Sequence, residues 1–401
     1  MNKEDIMQKM MKALMAGGEY KPRPGYQPTE REERDRRALL GSNIFYNPTL
    51  ELVEIPVPEP KDDEILLKVG GAAVCGSDTN FLGADKDNYS RYAGHCKLPC
   101  VIGHEFSGEI AAVGKNVKEL KVGDLVVAET MAWCGECLAC RRGQFNQCEN
   151  LEEIGFSQNG AYAEYLVAKE KLCFKVDGLV DVYGSKKRAL EVAAMIEPMA
   201  VAYNGVFTRG GGIEPGGHVV VFGCGPIGLS AISLLKTSGA AKIIAFDPNK
   251  TRQALAREVG ATDTFDPFEY WQRGEKLSDL VMKVTKGVGA AMVVEATHKP
   301  AENIPEAVDM LASFGTIAQI GITASTVELH PVYMQKKGAN YHFAIGSSGH
   351  GTWPNVIRLI EARRVDPGKY LSKCYHLEDS IEAIQAAAKA EGGKFVVTPN
   401  W

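Results

Sequence analysis

The stretch His218-Val-Val-Val-Phe222, Gly223-Cys-Gly225-Pro-Ile-Gly228 passes from an apolar strand through a glycine turn into an amphipathic run, Leu229 to Ser238. A second apolar strand, Lys242-Ile-Ile-Ala-Phe246, follows, and Asp247 closes it about twenty residues beyond the glycines, the spacing of a dinucleotide-binding unit. Glycines at 223, 225 and 228 let backbone approach a pyrophosphate, whose charge meets the positive end of the helix. Asp247 would accept hydrogen bonds from ribose hydroxyls and repel a 2′-phosphate, which favours NAD over NADP. Pro226, Ile227 and Glu295 complete the expected cofactor contacts. Arg252 is within reach of a phosphate, although with Lys250 it also reads as a solvated helix residue. Outward from this unit come a helix near Asn249 to Val259, a strand Ala291 to Glu295, a helix Asn303 to Ala312 and a strand Gly315 to Ile320. Alternation of this kind predicts an α/β architecture with a doubly wound parallel sheet.

The chain has 401 residues, more than one hydrophobic core usually serves, so a second domain is expected. Hydrophobic residues make up 45% and charged residues 24%, the balance of a globular protein, and a net charge of -5 argues against nucleic acid or an anionic membrane as partner. The charged start, Met1 to Met10, lacks an apolar targeting core, and no apolar run of about eighteen residues exists, so a cytoplasmic location is expected.

Residues 1 to 16 read as a short helical extension leading into a strand at Met11 to Met15. Residues 17 to 45 carry Pro22, Pro24 and Pro28, then a charged run from Thr29 to Arg37. Thr29 with Glu32 forms a capping box and Gly41 suits a helix end, which predicts a short exposed helix with a solvated face. From Leu50 onward, alternating strands and glycine turns suggest a barrel-like β domain, and Leu190 to Phe207 has helical periodicity before Gly210-Gly-Gly212.

Within that β domain lies Cys134-Gly-Glu-Cys137-Leu-Ala-Cys140, with Cys148 following. Four thiolates at this spacing can enclose one tetrahedral zinc, a closed and therefore structural site; four unrelated thiols or two disulfides are the alternative. Cys96, Cys100, Cys173, Cys224 and Cys374 read as packing residues. A second group, Cys75-Gly-Ser77-Asp78, Gly103-His104-Glu105 and Glu197-Pro198, has ligand-type side chains without ladder spacing, which suits packing as well as ligation.

In order, Cys75-Gly-Ser-Asp, Gly103-His-Glu-Phe-Ser-Gly108, the four-cysteine lobe, Glu197-Pro and Gly223-Cys-Gly-Pro-Ile-Gly228 resemble the zinc-dependent medium-chain dehydrogenases from Met11 on. The resemblance implies a GroES-like catalytic domain (1–198, with the cysteine lobe at about 129–150 and the 17–45 insertion), a Rossmann domain (199–348) and a C-terminal return to the first domain (349–401). It implies two zinc ions per chain, the catalytic one held by Cys75 and His104, with Glu105 a direct or exchangeable ligand and Glu197 binding the metal or its water. Ser77 would take the substrate proton and pass it towards ribose or water. Asn80 stands where the family's relay usually has histidine, and asparagine does not titrate near neutral pH. The family also implies a homodimer or homotetramer.

Glu near the zinc resembles the sorbitol-type polyol dehydrogenases. Gly346-Ser-Ser-Gly-His350-Gly-Thr-Trp353, the insertion and Ala132-Trp133 are similar to the subgroup containing scyllo-inosose dehydrogenase, so oxidation of a polyol, sugar or cyclitol is expected. Asn80, Trp133 and His350 are candidate pocket residues. A threonine, amino-alcohol or hydroxy-acid dehydrogenase is the enzymatic alternative, and a non-catalytic nucleotide-binding protein with only structural zinc is the alternative of another class.

Overall fold

A computed structural model describes residues 9–323 and 325–401; the helical extension expected before the first strand falls largely outside them. The chain divides into two compact units. The first comprises the described residues up to Glu197 together with Leu371–Trp401, and the second is Pro198–Tyr370. The helix Thr352–Glu361 thus belongs to the second unit, and the chain returns to the first at Leu371 rather than near 349.

Among the described residues of the first unit, the larger sheet is ordered Cys173–Lys175, Leu125–Ala128, Glu105–Val113, Glu64–Ala73, Lys394–Val397, Leu371–Tyr375, with Tyr165–Lys169 also on Glu64–Ala73. The central strand Glu64–Ala73 is buried at all but one position, as a strand covered on both faces must be. Its register brings chemistry together. Ala73 pairs antiparallel with Glu105 on one side and with Val396 on the other, so Cys75, His104 and Lys394 emerge at one end of the sheet. A smaller sheet joins Met10–Tyr20 to Phe45–Pro56 and Cys100–Val101.

The insertion departs from expectation. Its first strand runs on to Tyr20, with a register shift between Gly17 and Glu19. The helix is Glu30–Asp35, and the Thr29–Glu32 capping box is present. It ends at Arg36 in the left-handed region, not at Gly41, which instead opens a single 3-10 turn. Nor is the charged run wholly solvated: Glu32 and Arg37 are buried. Glu32 accepts hydrogen bonds from Tyr26 Oη, from the Thr29 and Leu39 amides and from Thr29 Oγ1, which is how a carboxylate can be buried. Likewise the expected 190–207 helix is broken into Lys186–Ala193, Ile196–Tyr203 and a π-helical turn, Asn204–Arg209. Pro198, lacking an amide, is accommodated in the first turn of the second piece, where Glu197 also sits.

The second unit is a parallel sheet ordered Asp263–Phe265, Lys242–Phe246, His218–Phe222, Ala290–Glu295, Leu311–Gln319, Asn340–Phe343. Helices Pro226–Thr237, Lys250–Val259 and Pro300–Met310 connect its strands, as the strand-helix alternation requires. Asn249 caps the second of these through the Thr251 and Arg252 amides. Lys337 caps the end of the third, donating to the carbonyls of Val308, Asp309 and Leu311.

Candidate active site and metal centres

The four lobe cysteines converge. Their sulfur atoms all lie within 4.8 Å of one another, with Cys134 to Cys140 and Cys137 to Cys148 both 4.0 Å apart. That is too far for a disulfide and close to the ~3.8 Å edge of a tetrahedron with 2.3 Å zinc–sulfur bonds. Amides of Glu136 and Cys137 bring the Cys134 thiol down to about 6, whereas burial pushes Cys140 up to about 12. Full deprotonation of the set therefore calls for a cation, and the donor chemistry fits zinc.

At the sheet end, ligand atoms of Cys75, His104 and Glu105 also lie within 4.8 Å of one another. Asp78, on the one-turn helix after Cys75, organises them: one carboxylate oxygen accepts from the Cys75 amide (2.9 Å) and from Tyr162 Oη (2.8 Å), and the other is 3.5 Å from His104 Nδ1. That orients Nδ1 toward Asp78 and leaves Nε2 for a metal. The His104 carbonyl accepts from Thr130 Oγ1, and its ring lies 4.6 Å from Phe156. Burial disfavours a charged His104, but the Cys75 and Asp78 charges outweigh it and raise its pKa.

Glu105 is 1% exposed and paired with Lys394, itself 2% exposed. Glu197 stands outside the three-ligand set; burial, with the Glu105 charge adding to it, pushes its carboxyl up to about 7. Three buried carboxylates and a half-buried thiol thus lie with one lysine and one histidine, an imbalance that a divalent cation would correct. Two positions after Cys75, Ser77 Oγ is buried with no hydrogen-bond partner among the described residues. An orphaned hydroxyl on the turn that follows Cys75 fits a group bound from outside the chain.

In the glycine loop, Gly223 has φ +88, and a Cβ there would stand 2.9 Å from Thr297 Cγ2. A Cβ on Gly228 would meet the Gly223 carbonyl oxygen at 1.8 Å, so the turn can close only on glycine. Gly225 differs: its φ is -72, and a Cβ would find only Arg252 Nη1 at 3.9 Å. Neither backbone nor packing demands glycine at 225, so the open space fits a ligand. The helix behind it starts at Pro226, with Ile227 next, and has no side-chain cap, leaving its first amides available. Asp247 is held by the Cys224 and Asn249 amides, both at 2.8 Å.

Glu295, an expected cofactor contact, has its carboxylate buried and engaged by Thr297 and Asn303. It shapes the Ala296–Thr297 turn that crowds Gly223. Trp133 is stacked on Phe145 at 4.3 Å and lies under Lys171, an occupation within the cysteine lobe. Asn80 is half-buried on the turn after Ser77; His350 is exposed in the second unit with φ +54. The sequence alone gives Asp78 no role and does not single out Tyr162 or Lys394. Asp78 had a signal, its placement three residues after Cys75, where a side chain can cap that amide. Lys394 had none, since a lysine opening an apolar strand reads as exposed.

Comparison with known proteins agrees with this geometry. The pattern described as Alcohol dehydrogenase GroES-like domain matches residues 61–178, and that described as Zinc-binding dehydrogenase matches residues 226–362. The scyllo-inosose 3-dehydrogenase of Thermotoga maritima is 36% identical over 386 residues, 94% of this chain and 96% of the relative. An L-threonine 3-dehydrogenase of Caldanaerobacter subterraneus subsp. tengcongensis is 31% identical over 357 residues, 88% of this chain and 97% of the relative. A solved Thermotoga maritima structure, assigned provisionally as an alcohol dehydrogenase, has a TM-score of 0.91 at 34% identity, covering 97% of this chain and 100% of the other. The chain belongs to the zinc-binding dehydrogenases of the alcohol dehydrogenase type, with a GroES-like domain and a Rossmann-like parallel sheet.

Proposed function

We propose that the protein oxidises a secondary hydroxyl of a polyol, sugar or cyclitol with NAD as hydride acceptor, using zinc held by Cys75, His104 and Glu105. The carrying observation is the buried excess of negative charge around those three ligands, supported by the similarity to a scyllo-inosose dehydrogenase. A zinc ion bound there supplies Lewis acidity, lowering the pKa of a substrate hydroxyl. Cys75, His104 and Glu105 would hold the metal, Asp78 fixes the imidazole, and Glu197 and Lys394 set the charge around them. Ser77 Oγ, without a hydrogen-bond partner among the described residues, accepts the hydroxyl proton as it passes its own on toward ribose or water. A second zinc in the four-cysteine lobe is structural.

Ser77→Ala should lower kcat by about 100-fold, within the usual range for a positioned proton acceptor, while metal content stays unchanged. Loss of metal in that variant would make Ser77 structural instead. For the cofactor, the Asp247 carboxylate leaves no welcome for a 2′-phosphate. The ratio of kcat/KM values should favour NAD over NADP by about 100-fold, the scale of a few kcal/mol of like-charge repulsion. A preference for NADP would overturn the role given to Asp247.

A panel of polyols, inositols, inososes, threonine and other amino alcohols, followed by NADH absorbance, tests the substrate class. Turnover of cyclitols or polyols supports the proposal, and a preference for threonine would favour the reading that the threonine dehydrogenase relatives suggest. We also place the enzyme in the cytoplasm; among the described residues no helix is long and apolar enough to cross a membrane. A homo-oligomer is part of the same reading. Asn340–Phe343 is an edge strand among the described residues, and Phe314 (82% exposed, φ +62), Ile322, Phe343 and Ile345 are exposed apolar side chains of the same unit.

A further inference from the structure

The 17–45 insertion takes no part in the chemistry above, yet it grips the two segments whose rings stack on each other, one of them against His104. Arg23 pairs with Asp85 and, at 3.0 Å, with Asp87, and Ala38 bridges Cys96, so the insertion holds the loop that delivers Tyr92. Arg31 donates to the Glu149 carbonyl at 2.6 Å, and Arg37 Nη2 meets Glu152 Oε1 at 2.7 Å, which holds the segment that delivers Phe156. Tyr92 and Phe156 stack at 5.0 Å with 11° between their planes, and Phe156 bears on His104. The backbones are equally close. A Cβ on Gly155 would stand 2.6 Å from the Gly103 carbonyl oxygen and 3.1 Å from His104 Cβ. Any shift of the 152–156 segment is therefore transmitted to His104, because close-packed groups have no free volume to absorb it.

Arg37 touches both segments. It is 6% exposed, with Nη1 3.2 Å from His95 Nε2 and Nε 3.5 Å from Asp35 Oδ2, besides the Glu152 contact. An arginine N–H donating to Nε2 puts the His95 proton on Nδ1, which faces Glu153 Oε2 at 3.5 Å. The rigid guanidinium fork sets these partners at fixed angles, which a lysine ammonium on a flexible stem would not.

We propose that Arg37 is a positioning residue for the Cys75–His104–Glu105 site. By tying the 92–96 loop to the 149–156 segment, it fixes the Tyr92–Phe156 stack and through it the orientation of the His104 imidazole. The inference rests on the zinc reading of that site. The competing account is that Arg37 merely anchors the insertion.

The two are separated with cobalt-substituted protein, read as a difference spectrum against His104→Ala. Arg37→Lys keeps the charge and removes the fork; Glu152→Gln, at a half-buried partner, removes one arm with little change in volume. In both variants the visible ligand-field bands assigned to the Cys75–His104 site should shift, and its metal should leave about 10-fold faster, the usual scale for losing a supporting contact behind a ligand. Metal in the four-cysteine lobe should be retained. Folded variants with unchanged bands and release rates would overturn the proposal, and so would collapse of the Glu152→Gln protein, which would make the contact purely structural. A wild-type spectrum identical to that of His104→Ala would instead defeat the zinc reading itself.

Discussion

Lys394→Met should lower the stability of the zinc-depleted protein by about 3–5 kcal/mol, the cost of leaving a buried charge without its partner. Lys394 and Glu105 are almost fully buried, and Glu197, also buried, adds a further acidic group nearby. Methionine keeps most of the volume, so the loss reports charge rather than packing. Lys394→Arg restores the charge and should recover much of the stability. Zinc should also recover part of the Lys394→Met loss, because a divalent ion relieves the same excess of negative charge. Denaturant unfolding of the three proteins, with and without zinc, measures this. A loss below about 1 kcal/mol in the methionine variant, the scale of a solvated surface pair, would show that the site is not the dry, acid-rich pocket described.

Gly228→Ala should weaken NADH binding by about 100-fold or more, the scale of misplacing a binding loop by an ångström. The added methyl would lie 1.8 Å from the Gly223 carbonyl oxygen, so the turn must open and carry its amides away from the phosphates. Gly225→Ala is the sharper companion. Its methyl meets only Arg252 Nη1 at 3.9 Å and its φ suits any residue, so the free protein should be unharmed or slightly more stable. NADH affinity should nonetheless fall, because the methyl fills space left for the pyrophosphate. Fluorescence titration with NADH, alongside thermal unfolding, reads both. Wild-type affinity in Gly225→Ala would remove the dinucleotide from this loop.

What could be read from residues alone was what local spacing encodes. Gly223, Gly225 and Gly228 follow a strand and open a helix, and four cysteines lie close enough in sequence to meet whatever surrounds them. Cys75, His104 and Glu105 are different, since only the register of Glu64–Ala73 with its two neighbours brings them to one sheet end. Family resemblance supplied that grouping; periodicity could not. Lys394 was hidden for the same reason, arriving on a strand more than 280 residues after Glu105. The charged insertion was misjudged because alternating signs describe a solvated helix and a buried ion network equally well, and the difference lies in the partners Glu149, Glu152 and His95. Glu295, at a strand end, reads from sequence as a cofactor contact, and its carboxylate has local partners, Thr297 and Asn303, that the sequence does not reveal.

The central claim is that Cys75, His104 and Glu105 hold a zinc distinct from that of the cysteine lobe, and metal counting tests it most directly. Purified protein should carry two zinc ions per chain, Cys75→Ser with His104→Ala should carry one, and Cys137→Ser should lose the other while NADH binding to the second unit persists. A wild-type protein saturated at one zinc, or a Cys75→Ser/His104→Ala variant that still holds two, would contradict the account.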